Sequence, residues 1–117
     1  MIFNAMGQQN TITRKCLKSA FVNQKVTEVE IQEITFSPGQ TAPKHLHPCS
    51  VVGYIKSGTA LFQTEGSEPM ILKEGDTFYE KKNECIIHFD NASNDKPLIF
   101  IAFYLKENSE ENVKLVE

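Results

Sequence analysis

The stretch GQTAPKHLHP, residues 39–48, is the most informative part of the chain, and it carries His45 and His47 two residues apart. On an extended strand, side chains two positions apart point to the same face, so the two imidazoles can converge on one cation. Neutral imidazole is a common ligand for zinc, iron, nickel, copper and manganese. The residues alone leave a second interpretation open, two surface or interface histidines placed by chance, because this spacing by itself is a weak signal.

The sequence around this stretch predicts an all-β fold. From Val26 onward it breaks into short β-rich runs, and none of them keeps a helical period. Turn-forming residues separate the runs at a spacing of about ten residues, which is typical of a sandwich or barrel. The predicted strands are residues 26–36, 51–55, 59–64, 70–72, 77–80, 85–90 and 98–105.

The first predicted strand changes its alternation part of the way along. Val29 and Ile31 share one parity, whereas Ile34 and Phe36 share the other. Because successive side chains of a strand point to opposite faces, these two pairs cannot share one face of a regular strand. We therefore expect a bulge or bend between Ile31 and Ile34, at which the strand changes from one sheet to the other.

The last predicted strand, residues 98–105, is apolar at every position. Such a strand should be covered on both faces, which a chain this small rarely achieves unaided. A second subunit would supply the cover, so a homodimer is favoured, with the N-terminal segment as the alternative cover.

Length and composition indicate one domain. The chain has 117 residues, of which 40% are hydrophobic and 23% charged, so it can build one core and has no room for a second. We divide it into an N-terminal segment with a short helix or edge strand (residues 1–25), a β-barrel (26–105) and a polar C-terminal tail (106–117).

Charge and cysteine usage exclude several classes of function. With 12 Lys and Arg against 15 Asp and Glu the net charge is -3, and no basic cluster could follow a phosphate backbone, so we expect no nucleic acid partner. No apolar run approaches the length of a membrane helix, and residues 1–9 do not resemble a signal peptide, so no membrane role is expected. The cysteines are widely spaced and odd in number, which favours free thiols and a cytoplasmic location: Cys16, Cys49 and Cys85.

The chain resembles the cupin superfamily over about residues 29–105. The first cupin motif is written G-x5-H-x-H-x3,4-E-x6-G, and Gly39, His45, His47 and Gly58 stand at its spacings. Three further features resemble the second motif, namely Gly75-Asp76, Asn91-Ala92-Ser93 and Pro97. The resemblance implies a small jelly-roll, or double-stranded β-helix, barrel with a divalent transition metal inside it.

Two of the four ligand positions that the resemblance implies are changed here. The family binds its metal with two histidines and a glutamate from the first motif and one histidine from the second. The glutamate position is Val51, and residues 48–57 contain no carboxylate. The second-motif histidine position falls near Ile86, whereas the histidine of this chain is His88, which would keep the same parity on a regular strand. The proline and glycine expected before it are replaced as well, by Lys81 and Asn83.

Three hypotheses for the site follow. A three-histidine centre of His45, His47 and His88 would resemble the iron centre of thiol dioxygenase cupins, with open positions for oxygen and substrate. A second hypothesis is adventitious metal without evolved turnover. The third is a metal-free barrel that binds a small ligand among apolar residues such as Val51, Phe62, Phe78 and Ile86.

The resemblance thus implies a small cupin barrel that binds iron, manganese, nickel, copper or zinc and that, if it is an enzyme, acts as a dioxygenase-like oxidoreductase on a small molecule. The alternative is a non-catalytic binding or sensing module without metal, because the loss of a carboxylate at Val51 would harm an enzyme and leave a binding module intact. Four further residues could carry chemistry but are more simply explained by packing: Cys49, Cys85, Tyr54 and Tyr79.

Overall fold

The β-rich runs fold as antiparallel strands, and the turn-forming residues connect them. The computed structural model describes residues 11–117. Within this range the strands are β1 (Glu28–Phe36), β2 (His45–Leu46), β3 (Ser50–Ser57), β4 (Ala60–Thr64), β5 (Met70–Leu72), β6 (Thr77–Glu80), β7 (Cys85–Asn91), β8 (Leu98–Lys106) and β9 (Lys114–Leu115). The predicted all-β class is confirmed.

Two sheets enclose the core. One has the strand order β1-β8-β3-β6 and the other the order β5-β4-β7-β2-β9. Every inner position of β8 is buried, and its outer positions are half-buried, as the alternation of a strand between two environments requires. The centre of the core is an aromatic cluster in which Phe89 lies 4.6 Å from Phe100 and 5.1 Å from Phe78 between ring centroids. Phe62, Phe78 and Ile86, which we expected to line a ligand cavity, are buried in this core.

Strand β1 has no bulge, so that prediction is wrong. Its pairing with β8 is regular from Glu28 to Phe36, and Val29 and Ile31 lie exposed on the outer face. The inner positions at that end are polar, and they form their own interactions. Lys106 Nζ lies 3.1 Å from the Glu30 carboxylate, to which Gln32 also donates a hydrogen bond of 2.7 Å. The apolar residues change faces along β1 because the first part of the strand extends beyond the core, while the backbone stays regular.

The two terminal segments differ from expectation. Residues 11–23, the described part of the stretch in which we expected a helix or edge strand, form neither, and residues 1–10 lie outside the described range. Instead, Leu17 and Val22 approach Phe103 on the outer face of the first sheet. The C-terminal tail folds back and adds β9 to the edge of β2, which places it beside His45. Nothing in residues 11–117 is a helix long and apolar enough to span a membrane.

Two tight turns next to the strands use positive φ angles. Gly58 has φ 89°, and a Cβ there would lie 2.5 Å from the carbonyl oxygen of Pro97, so only glycine fits. Asn83 has φ 65° in the turn before β7, and asparagine tolerates this left-handed conformation better than most residues. Asparagine therefore replaces the glycine that the resemblance implied there, with the turn retained.

Candidate metal centre

A very short strand holds the two motif histidines side by side. His45 begins β2, which pairs with β7 on one side and β9 on the other, and His47 follows directly after β2. The imidazole centroids lie 5.0 Å apart at an interplanar angle of 84°. Both rings are buried.

A buried carboxylate joins the histidines from a different strand. Glu80 ends β6, and the residue is 3% exposed. One potential ligand atom from each of His45, His47 and Glu80 lies within 4.8 Å of the others. In the sheet register Glu80 stands directly opposite Val51. The carboxylate that is missing at Val51 is thus present on the neighbouring strand.

Backbone carbonyls fix both imidazoles through the same ring nitrogen. His45 Nδ1 donates to the carbonyl of Pro43 at 2.8 Å, and His47 Nδ1 donates to the carbonyl of Asn112 at 2.6 Å. A carbonyl oxygen can only accept, so Nδ1 carries the proton in each ring. This leaves Nε2 as the nitrogen available for binding, which is the arrangement common around metal-ligating histidines.

The contact between His47 and Glu80 needs a positive charge between its two atoms. His47 Nε2 lies 3.1 Å from Glu80 Oε1. Because Nδ1 already holds a proton, a neutral His47 would direct its Nε2 lone pair at the carboxylate, so either a second proton or a metal ion must lie there. Burial lowers the pKa of His47, but the hydrogen bond and negative charge of Glu80, with the Asn112 carbonyl, outweigh it and raise this pKa overall.

A proton on His47 would leave another polar atom unsatisfied. Glu80 Oε2 is buried and has no hydrogen-bond partner among residues 11–117. An unpaired buried carboxylate oxygen is costly, since it has lost its water without a replacement. A cation shared by the histidines and Glu80 would satisfy this oxygen, and one proton between His47 and Glu80 does not. The donor set therefore fits a metal ion.

The structure does not bring His88 to this group. A β-bulge separates the pairs Gln63↔His88 and Thr64↔Ile86, so the parity of β7 reverses between Ile86 and His88. The His88 side chain is 42% exposed, and its Nδ1 lies 2.8 Å from Asp90 Oδ2. Asp90 in turn accepts a hydrogen bond from the backbone of Ala42. The pair therefore ties β7 to the loop that precedes His45.

A cavity of about 290 Å³ adjoins His45, His47 and Glu80. Its other walls are apolar or aromatic, and the C-terminal residues Val113 and Leu115 form one of them. Tyr104 also lines it, with its ring centroid 5.9 Å from that of His47. Burial, reinforced by the charge of Glu80, raises the pKa of Tyr104 to about 12, so the phenol stays protonated at neutral pH.

Three other residues considered from the sequence are outside the group of donors. Cys49 is fully buried in the core, where burial and the nearby Glu110 raise the pKa of its thiol. Tyr54 is 39% exposed, and it pairs with Thr77 across the first sheet. Cys85 is half-buried and pairs with Leu46, beside the site but outside the group of donors.

Sequence reasoning missed two residues of the site, Glu80 and Tyr104. Glu80 is far from Val51 in sequence and is its neighbour only across the sheet, so the spacing of the motif does not point to it. One signal was present, because Glu80 has the same parity as Phe78 in a predicted strand, which places a charged residue on the apolar face. Tyr104 shares its parity with Phe100 and Ala102 in the same way.

Solved structures share this fold. The DMSP lyase DddQ from Ruegeria pomeroyi aligns with a TM-score of 0.64 and 23% identity, over 74% of this chain and 42% of that chain. Oxalate oxidase in complex with glycolate aligns with a TM-score of 0.64 and 22% identity, over 75% of this chain and 46% of that chain. An uncharacterized conserved protein with a double-stranded β-helix domain from Klebsiella pneumoniae aligns with a TM-score of 0.64 and 23% identity, over 82% of this chain and 81% of that chain. The chain thus spans less than half the length of the lyase and the oxidase.

The family follows from sequence as well as from shape. No curated protein sequence matches the chain. The cupin domain family, however, matches residues 32–104, which is more than half of the chain and includes β2, β3, β6 and β7. The chain therefore belongs to the cupin superfamily, and its two sheets form a jelly-roll barrel.

Proposed function

We propose that this cupin binds a divalent transition metal ion through His45, His47 and Glu80 and uses it to oxidise a small molecule held in the adjoining cavity. The observation that carries the proposal is the contact of 3.1 Å between His47 Nε2 and Glu80 Oε1, together with the unpartnered Glu80 Oε2. These acceptor atoms converge in a buried place where only a cation can satisfy all of them.

The ligand types favour a particular chemistry. Two histidines and one carboxylate with open positions form the donor set of non-haem iron(II) oxygenases, and the same donors accept manganese, nickel, copper or zinc. Glu80 also supplies the negative charge whose absence at Val51 argued against an evolved site. Bound there, the ion would supply Lewis acidity and, for a redox-active metal, a path for electrons to oxygen. The named activities of two structural neighbours, a lyase and an oxidase, support an enzyme without choosing its reaction.

The protein groups around the donors have separate roles in this proposal. The carbonyls of Pro43 and Asn112 hold the two imidazoles in the tautomer that leaves Nε2 free. The protonated phenol of Tyr104 provides a hydrogen-bond donor on the cavity wall. The apolar walls exclude water, which strengthens electrostatic interactions at the donors.

Elemental analysis tests the metal site. Untagged protein purified without chelator, and reconstituted with iron(II), manganese, nickel, copper or zinc in turn, should retain about one ion per chain. Glu80→Gln and His47→Ala should lose it, and His88→Ala, the matched control outside the group, should keep it. Metal far below stoichiometry in the wild type after reconstitution would refute the site, and loss in His88→Ala would restore the three-histidine hypothesis. Oxygen consumption by the iron-loaded protein with small thiols and phenols then tests the oxidation.

A second candidate function is a metal-free module that binds a small molecule. The cavity itself favours it, because it is predominantly apolar and has the size of a small ligand site. In this case the wild type should take up no metal, and ligand binding should survive Glu80→Gln.

We also propose that the protein is a homodimer through the outer face of the first sheet. Val29 is 52% and Ile31 is 61% exposed, and in the register they lie beside Leu105 and Phe103. Strand β1 stands at the edge of its sheet, so this apolar row is continuous with an open strand edge. Multi-angle light scattering of the wild type should give twice the mass of one chain, and the Ile31→Lys variant should have the mass of a single chain. Ile71→Lys, which is equally apolar and exposed in β5, is the control.

The thiols support a cytoplasmic location, which we propose as well. Cys16, Cys49 and Cys85 are free in the structure. Free thiols of this kind persist in a reducing compartment. Cell fractionation with rapid alkylation in denaturant, which exposes the buried Cys49, should recover the protein in the cytoplasmic fraction with all three cysteines alkylated.

A further inference from the structure

The charges that line the cavity are all at one end of it. Apart from Tyr104, the ionisable side chains of its lining are His45, His47 and Glu80, and no lysine or arginine of residues 11–117 belongs to the lining. Three lysines directly adjoin lining residues in sequence, but they are exposed and do not belong to the lining: Lys44, Lys81 and Lys114. Two further lysines form ion pairs elsewhere, Lys82 with Glu110 and Lys106 with Glu30. A ligand therefore meets one polar end and otherwise apolar walls.

The net charge of the polar end sets the charge of a matching ligand group. This step rests on the proposed metal site. A divalent ion with two neutral imidazoles and the Glu80 carboxylate leaves one unit of positive charge. One anionic group on the ligand neutralises it, and the low dielectric of a buried site makes that match favourable. A second anionic group would have to lie among apolar side chains without a partner, which carries a large desolvation cost.

The opposite end of the cavity suits an aromatic or compact apolar body. In the register of the first sheet Tyr104 is level with Val51, which pairs with Glu80, and Phe100 lies four positions away along β8. Phe36 and Phe89 pack against Phe100 with centroid distances of 5.6 Å and 4.6 Å, and all three phenylalanines line the cavity. The volume is about 290 Å³. Because an apolar cavity of about 150 Å³ accommodates benzene, this one accommodates about a dozen non-hydrogen atoms.

We infer that the cavity binds small monoanions: one carboxylate or similar charged head at His45, His47 and Glu80, and an uncharged apolar body against the phenylalanines. Dianions bind more weakly, because no cationic side chain of residues 11–117 lines the other walls. This names the substrate class for the proposed metal site and separates it from sites built for short dicarboxylates.

Calorimetric titration of the zinc-loaded protein with matched probes tests the inference. 3-Acetylbenzoate and isophthalate have the same number of non-hydrogen atoms and nearly the same shape, but the second has an additional negative charge. 3-Acetylbenzoate should bind about tenfold more tightly or better, from the uncompensated charge of isophthalate. Benzoate should bind more tightly than neutral benzyl alcohol by a similar factor, because only benzoate has a charged head. Equal or tighter binding of isophthalate, or equal binding of benzyl alcohol, would overturn the inference.

A charge-adding variant provides an independent measurement. Leu115 lines the cavity from β9 and is 64% exposed, so Leu115→Arg adds a cation at the wall with little risk to folding. Leu115→Arg should reduce the ratio between the dissociation constants of isophthalate and 3-acetylbenzoate about tenfold. Ile71→Arg, which adds the same charge in β5 away from the cavity, should leave this ratio unchanged. An unchanged ratio of dissociation constants in Leu115→Arg would contradict the charge argument.

Zinc binding is measured before the probes. Failure to bind zinc refutes the metal site and this inference together. Zinc binding followed by equal affinity for the two probes refutes the inference alone.

Discussion

Replacing Glu80 with glutamine should remove the response of the protein to metal and leave the metal-free fold nearly unchanged. In the metal-free protein, Glu80 and His47 form a buried ion pair at 3.1 Å. Glutamine is almost the same size, and its amide can donate to His47 Nε2 once that nitrogen is deprotonated. The buried pair therefore becomes a neutral hydrogen bond, with no charge left alone, and we expect the stability to change by about 1 kcal/mol or less.

The metal-bound state should behave differently, because it depends on the carboxylate. Zinc at 100 times its dissociation constant stabilises a protein by about 2.7 kcal/mol, which for a chain of this size raises the melting temperature by about 10 °C. Loss of a group that merely orients a ligand lowers metal affinity about 10- to 100-fold, so loss of a charged ligand should cost about 100-fold or more. At the same zinc concentration Glu80→Gln should then gain only about 0.4 kcal/mol, a rise of about 1–2 °C.

Thermal unfolding followed by differential scanning fluorimetry, with and without zinc, measures both effects. His88→Ala is the matched control, because His88 is half-exposed and outside the donor group, and it should keep the full zinc-dependent rise. A full rise in Glu80→Gln would show that Glu80 is not a ligand, and a melting temperature far below the wild type without zinc would show that it acts chiefly in folding.

Three further outcomes are expected. Gly53→Ala should destabilise the fold by about 1–3 kcal/mol in urea unfolding, because overpacking has no room to relax; a Cβ there would lie 2.1 Å from the carbonyl oxygen of Ile101. In ultraviolet titration the Tyr104 phenol should ionise at about pH 12, and the absorbance change at that pH should be missing in Tyr104→Phe. Because the pKa of Tyr104 is raised in the folded state, the stabilisation that the protonated phenol gives is complete below its unfolded pKa of about 10 and is lost as the pH rises toward 12. Deletion of residues 112–117 should lower zinc affinity about 10- to 100-fold by removing the carbonyl that holds His47, and unchanged affinity would show that this contact is dispensable.

The sequence predicted what depends on local pattern. Strand periodicity and turn residues located the strands, and motif spacing placed His45 and His47 on one face. It did not predict what depends on pairing between distant residues. The bulge in β7 that turns His88 away is visible only in its register with β4. The last segment, which seemed a polar tail, supplies the Asn112 carbonyl and two cavity walls, because a two-residue strand has too little periodicity to be detected.

The position of the carboxylate shows most clearly why spacing alone misjudged the site. A motif read along the chain requires the glutamate at position 51, yet Val51 and Glu80 are paired across the sheet with both side chains facing the interior. Directly opposed residues have Cβ atoms about 5 Å apart, so either position can direct a carboxylate to the same point. Exchanging them, as Val51→Glu with Glu80→Val, should therefore keep zinc affinity within about tenfold of the wild type, whereas Glu80→Val alone should lose about 100-fold or more. Calorimetry on the two variants decides it: if the exchanged protein folds but binds no better than Glu80→Val, the site depends on the strand that bears the carboxylate, and the two positions are not equivalent.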